Sequence, residues 1–279
     1  MKIRAIAAVA LLLTACGRLA RLGDGGIDHP TGADDLVLRV EVGGGFIPVE
    51  YTLRNFPSFA LYGDGRLVSQ GPQIEIYPGP ALPSLLVRTV SGDGIDTILE
   101  AAQDAGLLGP DRSYEFPCIA DAGTTTFTLS ADGAKHVVSA YALYEGATDC
   151  PGIDDDARAK LAEFQTKLGD LASWLPDGSL GEERPFVEDE LRVFVRPYAA
   201  SPEPDLQQPV VEWPLVTPLD TFGERYPGLE DTRCGAVSGA DHDALRIAAQ
   251  QTNELTSWTS AGTRYLLVFR PLLPEEHGC

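Results

Sequence analysis

Two Asp-Gly dipeptides, Asp64-Gly65 and Asp132-Gly133, each sit in the middle of a run that alternates apolar and polar residues, Phe59 to Val68 (FALYGDGRLV) and Thr124 to Ser139 (TTTFTLSADGAKHVVS). Alternation at a period of two puts every second side chain on one face of a strand, and a central Asp-Gly tolerates the positive φ angles of a tight hairpin turn. Both runs therefore read as antiparallel hairpins, and Leu36 to Val42 (LVLRVEV) adds another strand of the same pattern. Helical spacing appears elsewhere. Ile95, Ile98, Leu99 and Ala102 share a face within Gly94 to Leu108, and Leu161, Phe164, Leu168 and Leu171 do so within Asp154 to Leu175. A third helix is expected over Asp241 to Leu255. The run Asp154-Asp155-Asp156 reads as an N-cap and first turn that complement the helix dipole, in preference to a cation site.

The two halves of the chain carry matching strings in the same order. Leu38-Arg39-Val40 answers Leu191-Arg192-Val193 at an offset of 153, and Val49-Glu50-Tyr51 answers Val211-Glu212-Trp213 at 162. Val90-Ser91-Gly92, Asp96 and Ala101-Ala102-Gln103 answer Val237-Ser238-Gly239, Asp243 and Ala248-Ala249-Gln250 at 147, and Ala122-Gly123-Thr124 answers Ala261-Gly262-Thr263 at 139. The expectation is an α+β protein made of two similar antiparallel β-sheet-plus-helix units, an internal duplication in which the second copy lacks a segment the size of the Phe59–Val68 hairpin. The first unit spans residues 34–178 with a connecting helix, and the second spans 179–279. Proline-rich Pro197 to Pro218 is expected as an irregular edge or loop.

Lys2 and Arg4 precede nine apolar residues, Ala5 to Leu13, and then Leu13-Thr14-Ala15-Cys16. This is the pattern of a signal peptide, residues 1–15, ending in a lipobox, with Cys16 as the lipidation site; so short an apolar run cannot cross a hydrocarbon core of about 30 Å. The lipid bilayer, reached through this N-terminal anchor, is thus the first expected partner, on the extracytoplasmic face of the cell membrane. Residues 16–33 are glycine-rich and read as a flexible tether. Four further cysteines, Cys118, Cys150, Cys234 and Cys279, allow three pairings. An even count in an exported chain favours disulfides, and no CxxC or CxxH spacing suggests metal. Pairing sequence neighbours, Cys118 with Cys150 and Cys234 with Cys279, is the preferred arrangement, each bond contributing roughly 3–4 kcal/mol in the chain-entropy picture.

Acidic residues outnumber basic ones by 41 to 21, for a net charge of -20. Such a balance excludes a phosphate-backbone binder, whose affinity comes from clustered Lys and Arg, so nucleic acid is not an expected partner. Catalytic signatures such as G-x-S-x-G, HExxH, P-loop and G-x-G-x-x-G are absent. The four histidines, His29, His136, His242 and His277, are dispersed and read as structural or solvated. Gly43-Gly44-Gly45 follows a strand with no helix N-terminus behind it to hold phosphate, and is expected as a loop or bulge between two strands. Glu75, Asp93, Asp96 and Glu100 are the acids considered for paired-carboxylate chemistry. Among Tyr51, Phe56, Phe59, Tyr62 and Tyr77, alternation sends about half to the core. Ile76 to Pro83 (IYPGPALP) is polyproline-prone, and Tyr77, Pro78, Pro80 and Leu82 are its candidate binding residues.

The lipobox, GGGFIPVEY, FALYGDGRLV, IYPGPALP, the VSG-headed helix and TSAGTRYLLVFRPLLP together resemble uncharacterised exported lipoproteins of high-GC Gram-positive bacteria. The resemblance implies location and a shared architecture, and transfers no catalytic residue. The functional expectation is a non-enzymatic binding or interaction module for envelope components or secreted partners, either a protein or the cell wall. Neither metal nor cofactor is expected. The alternatives are an envelope hydrolase using paired carboxylates and an inhibitor of a secreted enzyme that inserts the Tyr77–Pro83 loop.

Overall fold

A computed structural model describes residues 26–73, 75–145, 150–200, 206 and 209–279. The signal segment, Cys16 and the beginning of the tether lie outside the described residues. Strand β1 (Leu36–Gly43) leads through a short helix α1 (Val49–Leu53) to the hairpin β2 (Phe59–Tyr62) and β3 (Arg66–Gln70), then β4 (Leu85–Thr89). Helix α2 (Gly92–Asp104) is followed by β5 (Arg112–Tyr114), the hairpin β6 (Thr124–Ala131) and β7 (Ala134–Tyr141), and helix α3 (Asp155–Leu168). The rest comprises β8 (Arg184–Pro185), β9 (Glu190–Pro197), β10 (Val210–Glu212), β11 (Glu224–Arg225), β12 (Arg233–Ser238), α4 (Gly239–Ala249), β13 (Ser257–Ser260) and β14 (Thr263–Pro271). The fold is α+β, with an eight-stranded sheet ordered β5-β7-β6-β1-β2-β3-β4-β8 and a six-stranded sheet ordered β10-β13-β14-β9-β12-β11.

Both Asp-Gly hairpins form where the alternation places them. Asp132 and Gly133 have φ of 49° and 73°, the pair of left-handed residues that a type I′ turn needs. Gly65 has φ of 85°, and a Cβ there would sit 2.4 Å from the Val90 carbonyl oxygen. The Ser91 hydroxyl caps α2 by accepting from the Gly94 amide at 3.2 Å, and Asp154 caps α3 by accepting from the Ala157 amide at 3.2 Å. The aspartate run is thus a helix start.

Helices α2 and α3 cover one face of the larger sheet. Leu38, Val40, Leu61, Phe127, Leu129, Val138 and Ala140 pack there against Ile98, Leu99, Leu161 and Phe164. Truncating any of the buried leucines to alanine would cost about 2–5 kcal/mol. The smaller sheet buries Leu191, Val193, Val195, Leu267 and Phe269 against Leu245 and Ala249 of α4. Trp213, Trp258, Phe222 and Phe269 fill that core edge-to-face, at centroid separations of 5.5, 6.3 and 5.6 Å along the chain of contacts. The two units meet through Leu273, which packs on Phe56, Ala60, Tyr62, Val68 and Val87, and through Leu53 against Phe194 and Val268. Cys118 is bonded to Cys150 and Cys234 to Cys279, with Cα separations of 5.8 and 6.0 Å. These are bonds that persist in an oxidising compartment. Among the described residues, no helix is long and apolar enough to cross a membrane.

Several boundaries differ from the sequence reading. Residues 26–33 are not free tether: Ile27 packs on the larger core, His29 is buried, and the Asp132 amide donates to the Asp28 carbonyl at 2.8 Å. Apolar anchors spaced this sparsely carry no periodic signal. Residues 179–186 belong to the first sheet, since Leu180 bridges Val90 and β8 pairs with β4, so the second unit begins beyond Phe186. The triple glycine leads into α1 and not into a second strand, with Gly44 and Gly45 at φ of 77° and 81°.

Both sheets place a short parallel edge strand (β5 on β7, β10 on β13) outside a hairpin, and the hairpin beside the first strand of the unit (β1, β9). The larger sheet inserts β2 and β3 between β1 and β4, whereas β12 lies directly on β9. Leu38-Arg39-Val40 and Leu191-Arg192-Val193 fall on β1 and β9, and the two Val-Ser-Gly strings precede α2 and α4. Val49-Glu50-Tyr51 lies in α1 while Val211-Glu212 lies in β10, so that match joins unlike elements.

Candidate functional site

Away from its helices, the larger sheet presents a divided face. Over β2, β3 and β4 it is apolar and sealed by Leu273 and Phe56. Over β1, β6 and β7 the same face carries the polar halves of the alternation. Arg39 and Thr128 stand opposite each other, as do Glu41 and Thr126, with Ser130 further along β6. None of these strand positions is covered by a helix.

This open half is the floor of a groove of about 1120 Å³. One wall is the extended arm from Asp28 to Asp35, and the β6–β7 turn closes the same end with Asp132, Gly133 and Lys135. Glu275, reaching across from the segment after β14, forms the other side. The arm is held in place by backbone bonds. The Asp28 amide donates to Asp132 Oδ1 at 3.1 Å, and the Gly63 amide donates to the Asp35 carbonyl at 2.9 Å. Gly63 must lack a side chain here, since a Cβ would come within 2.4 Å of the Pro30 carbonyl oxygen.

A charged network braces the Glu275 side of the groove. Arg39 donates to Glu275 at 2.5 Å and to Glu276 at 3.1 Å, and the Tyr62 hydroxyl donates to Glu275 at 2.6 Å. Arg270 holds Glu276 with two bonds of 2.6 and 2.9 Å, and the Leu273 amide adds a third at 3.1 Å. Burial alone would push the Glu276 carboxyl up, but the Arg270 hydrogen bonds and charge, the Leu273 amide and Arg39 outweigh it and hold the group below its ordinary value. Burial likewise works against the Arg39 charge, and Glu275, Glu276 and Glu41 more than offset it, raising its pKa. Burial and the bond to Glu275 push the Tyr62 hydroxyl up, so it stays a donor.

His29 lies in the groove wall and is 7% exposed. Its Nδ1 is 2.8 Å from the Pro30 carbonyl oxygen, which can only accept, so Nδ1 carries the proton. Nε2 is buried without a hydrogen-bond partner.

Of the residues singled out from sequence, Tyr77 and Pro80 are exposed, while Pro78 and Leu82 are half-buried. Their loop is not a free arm. Pro80 bridges Asn253, the Ala81 amide donates to the Thr252 carbonyl at 3.1 Å, and the Gly79 amide donates to Glu254 Oε1 at 2.9 Å. Ala81 and Leu82 join the core of the second unit. Glu75, Asp93 and Glu100 point to solvent at separate places. His136 Nδ1 meets the Gly109 carbonyl at 2.9 Å, buried His242 sits 3.4 Å from buried Glu188 beside Arg246, and His277 is exposed. Among the described residues, no three His, Cys, Asp or Glu side chains are placed to hold a metal ion. Of the five aromatics between positions 51 and 77, Phe56, Phe59 and Tyr62 are buried and Tyr51 and Tyr77 exposed.

The groove itself went unread in the sequence. Arg39, Glu41, Thr128 and Ser130 look like the ordinary solvent side of alternating strands, and only their shared register with the arm makes them one surface. Compared with known protein families, with curated proteins and with solved structures, the chain matches none.

Proposed function

We propose that this chain is an extracytoplasmic lipoprotein, anchored through Cys16, that acts as a non-enzymatic binding module, and that the groove over β1, β6 and β7 is its ligand site. The observation that carries this reading is the groove: a concave surface of about 1120 Å³ lined by carboxylates and hydroxyls on a sheet face left uncovered, with its arm fixed by hydrogen bonds. Pre-formed concave sites of this order of size are where ligands bind. The two disulfides and the lipobox support the location. Shared strand arrangement and the helix-heading Val-Ser-Gly strings support descent of the two units from one duplicated ancestor, and the motif resemblance supports membership among exported lipoproteins of high-GC Gram-positive bacteria.

The hydrolase alternative is less well supported. A general acid must stay protonated near neutral pH, and the half-buried carboxyl of Glu276 is shifted the opposite way. An inhibitor inserting Tyr77–Pro83 would need a loop free of its own protein, whereas this one is bonded to the second unit. The anchor is tested by labelling with a fatty-acid analogue: wild type is expected to label and Cys16→Ser not, and a labelled Cys16→Ser refutes lipidation. The site is tested by affinity capture from envelope and secreted fractions with wild type and with Thr128→Trp, which fills the floor without touching either core. Loss of the captured ligand in the variant supports the groove, and undiminished capture refutes it.

A further inference from the structure

Six carboxylates, those of Asp28, Asp34, Asp35, Glu41, Asp132 and Glu275, line the groove, against the cations Arg39 and Lys135. Arg39 is spent on Glu275 and Glu276, and Asp34 has Arg66 at 3.8 Å. Among the described residues, Asp28, Asp35, Glu41 and Asp132 have no basic side chain within ion-pair distance. A concave surface with unpaired like charges on its arm, floor and closing turn concentrates their field in the space between them, and that space attracts cations.

The unsatisfied His29 points independently to a ligand. With Nδ1–H donating to the Pro30 carbonyl, Nε2 is the ring nitrogen left to accept, buried in the groove wall and without a partner. A buried acceptor left without a donor is unfavourable by about 1–3 kcal/mol, so a donor brought by a ligand recovers that loss. The ligand is therefore a cation that also carries N–H donors. A bare metal ion supplies no donor and finds no three-residue cluster among the described residues. Anions are repelled. Among the described residues, no Phe, Tyr or Trp lines the groove, which removes the broad stacking platform on which sugar rings settle.

On the reading of the groove as a ligand site, we propose that it takes a lysine- or arginine-bearing peptide segment. The carboxylates of Asp28, Asp35, Glu41 and Asp132, none of them in an ion pair among the described residues, receive its side-chain cations, and His29 Nε2 accepts one of its N–H groups. The peptide lies along the polar strip between the Asp28–Asp35 arm and β6, where the hydroxyls of Thr128 and Ser130 face its backbone. Ammonium and guanidinium groups meeting carboxylates form charge-assisted bonds, so affinity falls as salt rises.

The test is fluorescence anisotropy of labelled octalysine, with octaglutamate and an uncharged Gly-Ser octamer as controls, on the full oxidised chain. Octalysine alone is expected to bind. Asp28→Asn with Asp35→Asn should weaken it about tenfold, while Asp170→Asn with Asp177→Asn, which remove two exposed carboxylates beyond the C-terminal end of α3, should change it less than about twofold. His29→Asn keeps a nitrogen donor near the Nδ1 position and deletes Nε2; it too should weaken octalysine about tenfold. Equal loss in both aspartate pairs reduces the effect to overall charge and overturns the proposal. Undiminished binding by His29→Asn overturns the role of His29. No octalysine binding, with the captured envelope ligand still lost in Thr128→Trp, overturns the basic peptide and leaves the groove standing; no groove-dependent capture either overturns both.

Discussion

Glu276 lies where the two units and the groove floor meet, and Glu276→Gln isolates its charge. The substitution keeps the shape of the side chain and removes the negative partner of Arg270, whose side chain is 10% exposed, and of Arg39, at 17%. Arg39 keeps Glu275, while Arg270 is left without a carboxylate partner among the described residues. Removing one member of a buried pair costs about 3–5 kcal/mol, and the residual solvent contact and the surviving amide oxygen bring the expectation to about 3 kcal/mol. That corresponds to a fall in Tm of about 6–12 °C for a body of this size. Urea unfolding followed by tryptophan fluorescence measures it, because Trp174 sits against the first core and Trp213 and Trp258 lie in the second. The pH dependence supplies the sign. A carboxyl whose folded pKa is depressed contributes stability above its unfolded pKa and loses it as pH falls through the folded value. The gap between wild type and Glu276→Gln should therefore be full at pH 7 and close steadily below about pH 4.3. A gap under about 0.5 kcal/mol at pH 7, or one that does not narrow with acid, refutes the assignment of this ion pair as a stabilising contact.

Cys234→Ser with Cys279→Ser opens a loop of 45 residues and should lower stability by about 4 kcal/mol in the chain-entropy picture, measurable by thermal unfolding against wild type without reductant. Gly223→Ala should destabilise by at least about 2 kcal/mol, because its φ of 59° disfavours a side chain and the new Cβ would lie 1.9 Å from the Cys234 carbonyl oxygen; calorimetry of the purified variant checks it. Arg158→Met should cost about 1–3 kcal/mol in urea unfolding, since the buried guanidinium supplies the Ala142 carbonyl with a bond of 2.6 Å.

The elements with strong local chemistry were legible from the chain alone. Asp-Gly turns fix two hairpins, the Ile95–Ala102 and Leu161–Leu168 stripes fix two helices, and the sequence-neighbour cysteines pair as expected. What escaped depends on partners distant in sequence. Ile27 packs on a core built from residues far along the chain, Asp28 between it and His29 is bonded to a turn 104 positions later, and β8 is two residues long, so neither segment has a period to read. Helix α1 follows a glycine run and a proline that hide it, and Leu53 has its packing partners in β9, β12 and β14. The groove escaped for the same reason. Its polar residues alternate like any solvent face, and the pairing of Arg39 with Glu275 spans 236 positions.

The groove's two sides come from opposite ends of the described chain, the Asp28–Asp35 arm and Glu275, and its floor from neither. Such a surface behaves as a logical conjunction. Neither set of strands contains it alone, and opening the junction would remove it. The groove's shape is thereby tied to the whole body, because the contacts of Leu273 and Glu275 with the larger sheet hold its far side in place.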